Sequence, residues 1–140
     1  MPTPNFTPIF TITPNCPSVL IDSANVTRDG SGVLFTLFTA GVNGSLLNKI
    51  TFTNAASAVG ASALKVCRIF VTNTSGTNPR LRGEILLPAV TSSNTVIGAT
   101  ATFTFIDGLV LAPGQVVRVS QSLRATAADD THAIAEGGDY

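Results

Sequence analysis

Charge is scarce in this chain. Eight acidic and eight basic residues leave no net charge, and together they occupy only 11% of 140 positions. The bulk positive field that holds a general nucleic-acid binder to phosphate is missing, so no nucleic-acid partner is expected. There is no tryptophan, and the one tyrosine stands at position 140, which removes the aromatic platforms that shallow sugar sites on β-sandwiches need. His132 is the single histidine, and Cys16 and Cys67 stand apart with no C-x-x-C pair. That spacing predicts no metal and no cofactor. Cys16 or Cys67 could formally pair with His132 as a nucleophile, but no local signature accompanies either, and no enzyme is expected. The thiols read as free, small packing groups; a disulfide would need a backbone proximity that spacing alone does not supply.

Other absences narrow the reading further. No window reaches the ~18 apolar residues that span a bilayer, and "MPTPNFTPIFTITPNCPSVL" has neither a basic start nor a continuous apolar core. Neither a membrane anchor nor a secretory signal is expected, so the sequons at Asn5, Asn25, Asn43 and Asn73 are discounted. "GVNGS", "DGSG" and "EGGD" lack the lysine and the strand-to-helix setting of a phosphate loop and read as turns. Asp129, Asp130, Glu136 and Asp139 offer oxygens to a hard cation, but their spacing matches no loop motif. They read as a wet, charge-rich terminal segment.

What fills the chain instead is Thr, Ser, Asn, Gly and Ala around 44% hydrophobic residues. A soluble monomer ordinarily carries roughly a quarter of its residues as charges, and zero net charge promotes association. Two explanations fit: a Thr-wetted extracellular or heat-tolerant domain, or a subunit that hides surface in an assembly. The second is preferred. Residues 1–17 form a separate region, because Pro2, Pro4, Pro8, Pro14 and Pro17 remove donors and disfavour helix. Phe6, Ile9, Phe10 and Ile12 make this extended arm too apolar for a solvated tail, and they are the candidate anchors on a neighbour.

Residues 18–140 read as one all-β domain of short runs closed by turn chemistry. "VLFTLFTA" is too apolar for a clean wet face and reads as a central strand. Asn43-Gly44 predicts a tight hairpin, Asp107-Gly108 a chain reversal, and Pro113-Gly114 a type II turn. "AASAVGASAL" reads as a loop. In "NKITFTNA", Ile50 and Phe52 face inward while Lys49, Thr51 and Thr53 face water; Phe103 and Phe105 also face inward. About eight strands make a two-sheet antiparallel sandwich, of jelly-roll type.

"CRIFVTNTSGTNPRLRGEILLPA" is a hairpin whose tip holds Ser75, Gly76, Asn78 and Pro79. Alternation places Val66, Arg68, Phe70 and Thr72 on one face of its first strand and Cys67, Ile69 and Val71 on the other. Arg80, Arg82 and Glu84 share a face of the second, so Arg68 falls within cross-strand reach of Arg82 or Glu84. Arg68, Arg80 and Arg82 therefore read as a solvated hairpin face and the rim of a partner interface.

"NKITFTNA", "CRIFVTNTSGTNPRLRGEILLPAV", "FIDGLVLAPGQVVRVSQS" and "AIAEGGDY", in that order, resemble small β-sandwich structural proteins of tailed-bacteriophage virions. Among these the chain is most similar to capsid decoration, or cement, proteins. The resemblance implies a subunit on the outer surface of an icosahedral shell, assembled in the bacterial host cytoplasm. It also implies a homotrimer, with the major capsid protein and copies of itself as partners. Rival readings are a tail, baseplate or head-fibre component, and a carbohydrate- or host-binding module.

Overall fold

A computed structural model describes residues 13–55 and 60–140; the candidate anchors Phe6, Ile9, Phe10 and Ile12 lie outside the described residues. The strands are Thr13–Asn15 (β1), Ser18–Ile21 (β2), Phe35–Thr39 (β3), Ser45–Asn54 (β4), Gly60–Ser62 (β5), Lys65–Val71 (β6), Arg80–Leu87 (β7), Val90–Ser92 (β8), Thr100–Leu111 (β9), Val116–Gln121 (β10) and Thr131–Asp139 (β11). A 3-10 turn at Ala127–Asp129 precedes the last of them, capped by the Thr126 side chain.

The pairing is nested. β2 pairs with β11, β3 with β10, β4 with β9, and β6 with β7, every pair antiparallel. Four such pairs are one long two-stranded ribbon with the β6–β7 hairpin at its tip. Rolling the ribbon adds the ladders β11–β4 and β10–β6, and two sheets result, one ordered β1/β2-β11-β4-β9 and the other β3-β10-β6-β7. This is the double-sheet jelly roll expected from the sequence. β5 and β8 make a small separate ladder.

The core lies between the sheets. Ile50 and Phe52 of β4 are fully buried while Lys49, Thr51 and Thr53 are not, as the alternation predicts. Phe38, Ile69, Val117 and Val119 of the second sheet meet them, and each such side chain fully buried contributes about 1.5 to 3 kcal/mol. Ala133 and Ala135 give β11 an inner face of small residues against these bulky ones.

Several local expectations are corrected. Asn43-Gly44 closes no hairpin, because β3 and β4 belong to different sheets. Val42 and Asn43 are the central residues of a turn in which Gly44 N–H donates to the Gly41 carbonyl, and it carries the chain across the sandwich. β3 is an edge strand, not a central one. Its lack of a wet face comes from a bulge: Phe38 and Thr36 pair with consecutive residues of β10, Leu37 is the extra residue, and Leu37 and Phe38 are both buried. Asp107-Gly108 does not reverse the chain but sits inside β9, where the four residues 105–108 oppose Asn48 alone. Residues 60–62 of the expected loop are strand β5. The segment read as a wet terminus is β11, flanked on both sides by other strands. Pro113-Gly114 does turn the chain, with Gly114 at φ +85 and Gln115 N–H donating to the Ala112 carbonyl.

Candidate functional site

The β6–β7 hairpin divides its three arginines between two roles. Arg68 pairs in register with Glu84, and its Nε donates to Glu84 Oε1 at 2.8 Å. Its Nη1 donates to the Asn25 carbonyl at 2.9 Å, and the residue is only 5% exposed. The expectation of a solvated Arg68 is therefore wrong. β6 is an interior strand, and the connection between β2 and β3 crosses its outer face. Asn25 fastens that connection: its amide donates to the Ser31 and Val33 carbonyls, its Oδ1 accepts from Thr27, and its own N–H bonds to Gln121. Arg28 from the same connection reaches Glu84 at 3.1 Å, so one carboxylate serves two guanidinium groups. Glu84 and Arg68 tie β6, β7 and the β2–β3 connection together.

Arg80 and Arg82 remain outside. Ile69 pairs with Gly83 and Phe70 with Leu81, which leaves Arg82 as the extra residue of a bulge. Both arginines are exposed, and among the described residues neither has a carboxylate within ion-pair distance. They flank a cleft of about 550 Å³ where β7, the edge of one sheet, approaches β9, the edge of the other. Val71, Leu81, Leu109 and Leu111 give the cleft its apolar surface, with Asn78 and Gln115 at its polar end. A second depression of about 320 Å³ continues along β9 over Phe103, Phe105 and Ile106, and Arg82 and Leu109 line both. Phe103 and Phe105 pack edge to face, 5.1 Å between centroids. The two depressions adjoin at Arg82 and Leu109 and make up a groove of mixed polar and apolar lining with guanidinium groups on its wall.

The acidic cluster of the sequence is broken up. Asp129 is buried, accepting from the N–H groups of Ala63 and Ala125 and lying 3.6 Å from the buried Lys65 ammonium. Burial pushes Lys65 down from its ordinary value, opposed by the Asp129 charge. Burial alone would raise Asp129, but the two N–H donors and Lys65 outweigh it and hold the carboxyl below the usual range. Lys65 also donates to the Asp129 carbonyl and to Gln121 Oε1, which in turn accepts from Thr131. Asp130, buried too, takes Arg124 Nε at 2.6 Å. Glu136 pairs with Lys49, and Asp139 accepts from Asn15 and Ser45. Nothing in the sequence joins Lys65 to Asp129, 64 residues apart.

His132 stands on the outer face of its sheet, in register with Leu20 and Thr53, whereas Cys67 lies in the core. Burial pushes the Cys67 thiol up to about 12, which keeps it protonated and unreactive. Both cysteines are free. Among the described residues no three His, Cys, Asp or Glu side chains are grouped to hold a metal ion, and no helix is long and apolar enough to cross a membrane.

No family model and no curated protein matches the chain. Among solved structures it is similar to a chain of infectious bursal disease virus strain Gx, with 14% identity and a TM-score of 0.29, covering 98% of this chain and 35% of that one. Strain Gt gives 16% identity, the same TM-score, and coverage of 98% and 36%. The chain thus spans about a third of the solved chains it matches, and a likeness this slight carries no argument about function.

Proposed function

We propose that this chain is a non-enzymatic structural subunit of a virion, which decorates and stabilises a bacteriophage capsid by binding across capsomer joints. The observation that carries the reading is the groove between β7 and β9. Exposed Arg80 and Arg82 stand beside apolar side chains interleaved with amides and hydroxyls, and apolar contacts bordered by polar groups and enriched in arginine are the composition of protein interfaces. Hydroxyl, amide, guanidinium and hydrocarbon line it. Such a surface binds by desolvation and charge, and its output is association free energy.

The partners in this reading are the major capsid protein and further copies of the chain, on the outside of a shell assembled in a bacterial cytoplasm. A joint needs about 800 Å² buried per partner for a stable complex, and repetition over a symmetric shell multiplies a modest contact through avidity. The jelly roll supports this role by giving the groove rigid walls, each an edge strand hydrogen-bonded into its own sheet.

Purified protein mixed with expanded, undecorated phage shells should bind saturably at one symmetric position, and Arg80→Glu should reduce the occupancy. Deleting residues 2–12, which spares β1, should weaken binding as well if the arm anchors the subunit. Retention on glycans without any shell binding would favour a host-binding module and sink the proposal.

A further inference from the structure

The detour in β9 is held by two consecutive left-handed residues, Asp107 at φ +61 and Gly108 at φ +79. That conformation is unfavourable for a residue with a Cβ. Its result is to place Ile106 at 89% exposure with the Asp107 carboxylate exposed beside it. A bulge re-aims side chains, and backbone held in such a region points to a functional surface. A large apolar side chain raised into water on this support calls for something that covers it.

The complement lies on the same edge of the sandwich. Among the described residues neither Arg80 nor Arg82 has a carboxylate partner, and the exposed Leu81 and Val110 lie beside them. Most other acids are already engaged: Glu84 by two arginines, Glu136 by Lys49, Asp129 by Lys65 and Asp130 by Arg124. Asp107 is the carboxylate left at the rim of the groove.

We infer that the groove receives a second copy of this chain, whose Ile106–Asp107 bulge sets its apolar side chain on Leu81 and Val110 and its carboxylate on Arg82. Knob and socket share one patch, so the contact is self-complementary and closes a two-fold. The inference rests on the assembly reading of the groove and names one occupant for it.

Sedimentation velocity on the full chain over a concentration series tests this. The wild type should associate, with Ile106→Ser and Arg82→Glu each weakening association at least about tenfold, the lower end of interfacial charge-pair couplings. Arg82→Ala combined with Asp107→Asn should weaken it no more than either change alone, the signature of direct pairing. Asparagine tolerates the left-handed backbone, and matching thermal melts establish that the variants fold. A wild type that stays monomeric at every concentration overturns the inference, and so does an additive double variant or an Ile106→Ser chain that associates normally. A monomeric wild type that still decorates shells overturns this contact and leaves the capsid reading standing. Association through these residues without any binding to shells supports the contact and removes the capsid.

Discussion

The ring of Phe103 lies directly over the α-carbon of Gly83: a methyl group built on Gly83 would come within 2.5 Å of the ring Cζ. This contact joins β9 to β7, the facing edges of the two sheets, beneath the groove. Edge-to-face packing on Phe105 limits where the Phe103 ring can go. Gly83→Ala should therefore overpack the seam and destabilise the fold by about 1 to 3 kcal/mol, read from the urea midpoint. Adding Phe103→Leu should recover part of the loss, and a Gly83→Ala protein of unchanged midpoint would contradict the packing account.

Arg68 and Arg82 should separate cleanly under mutation. Arg68→Ala removes charged hydrogen bonds to Glu84 and to the Asn25 carbonyl, each of a kind that contributes about 1.5 to 3 kcal/mol. Lysine should rescue poorly, because one ammonium cannot reproduce the two directions of the guanidinium fork. Arg82→Ala should leave stability within about 0.5 kcal/mol, as for other exposed side chains without partners. Equal effects in chemical denaturation would refute the division.

The buried pair Lys65–Asp129 should be strongly non-additive. Removing either charge leaves the other buried and unpaired, a loss of about 3 to 5 kcal/mol, whereas apolar replacement of both is often far milder. Lys65→Met and Asp129→Asn, alone and together, test this in a double-mutant cycle, because asparagine removes the charge while keeping an acceptor for the N–H groups of Ala63 and Ala125.

Acid should expose the same carboxylate. Asp129 titrates below its ordinary 3.8 in the folded chain, so the unfolded chain binds the proton more readily. Its contribution is present above the ordinary value and is lost as pH falls through the folded one. Unfolding free energy should drop across that acid window, and Asp129→Asn should flatten the limb. An unaltered acid limb in that variant would assign the drop to other groups.

Thiol chemistry should distinguish the two cysteines. Cys16 is exposed, while Cys67 is buried with its thiol pushed up to about 12. One equivalent of an aromatic disulfide reagent should react with the native protein, and the second only after denaturation.

The parts of this fold legible in the sequence are those written in local alternation. Ile50 and Phe52 against Thr51 and Thr53 mark a half-buried strand, and Pro113-Gly114 marks a turn whose φ values belong to those residue types. Long-range burial is where reading failed. Arg68 looks wet because it is charged, yet the carboxylate and carbonyl that satisfy it stand 16 and 43 residues away. β11 reads as a terminal segment because its inner residues are alanines, whose small size suits a strand placed beside Phe52 and Ile50 in the same sheet. The seam between the strand edges could not be foreseen either, since bulges at Arg82 and at 105–108 break the two-residue period that a sequence reading follows. The dipeptide Asp107-Gly108 signals a chain reversal; what it cannot signal is a strand continuing past it.

The nested pairing bears on how the chain reaches this state. β11 inserts between β2 and β4, so the first sheet cannot knit until a strand made more than a hundred positions after β2 comes home. Until then β4 offers a bare flank rich in threonine and β-branched side chains, ready to accept the wrong ribbon. Non-local topologies of this kind fold on the millisecond-to-second scale. During synthesis β4 therefore waits for a partner strand that has not yet been made, and synthesis rate becomes a determinant of how much of the chain matures.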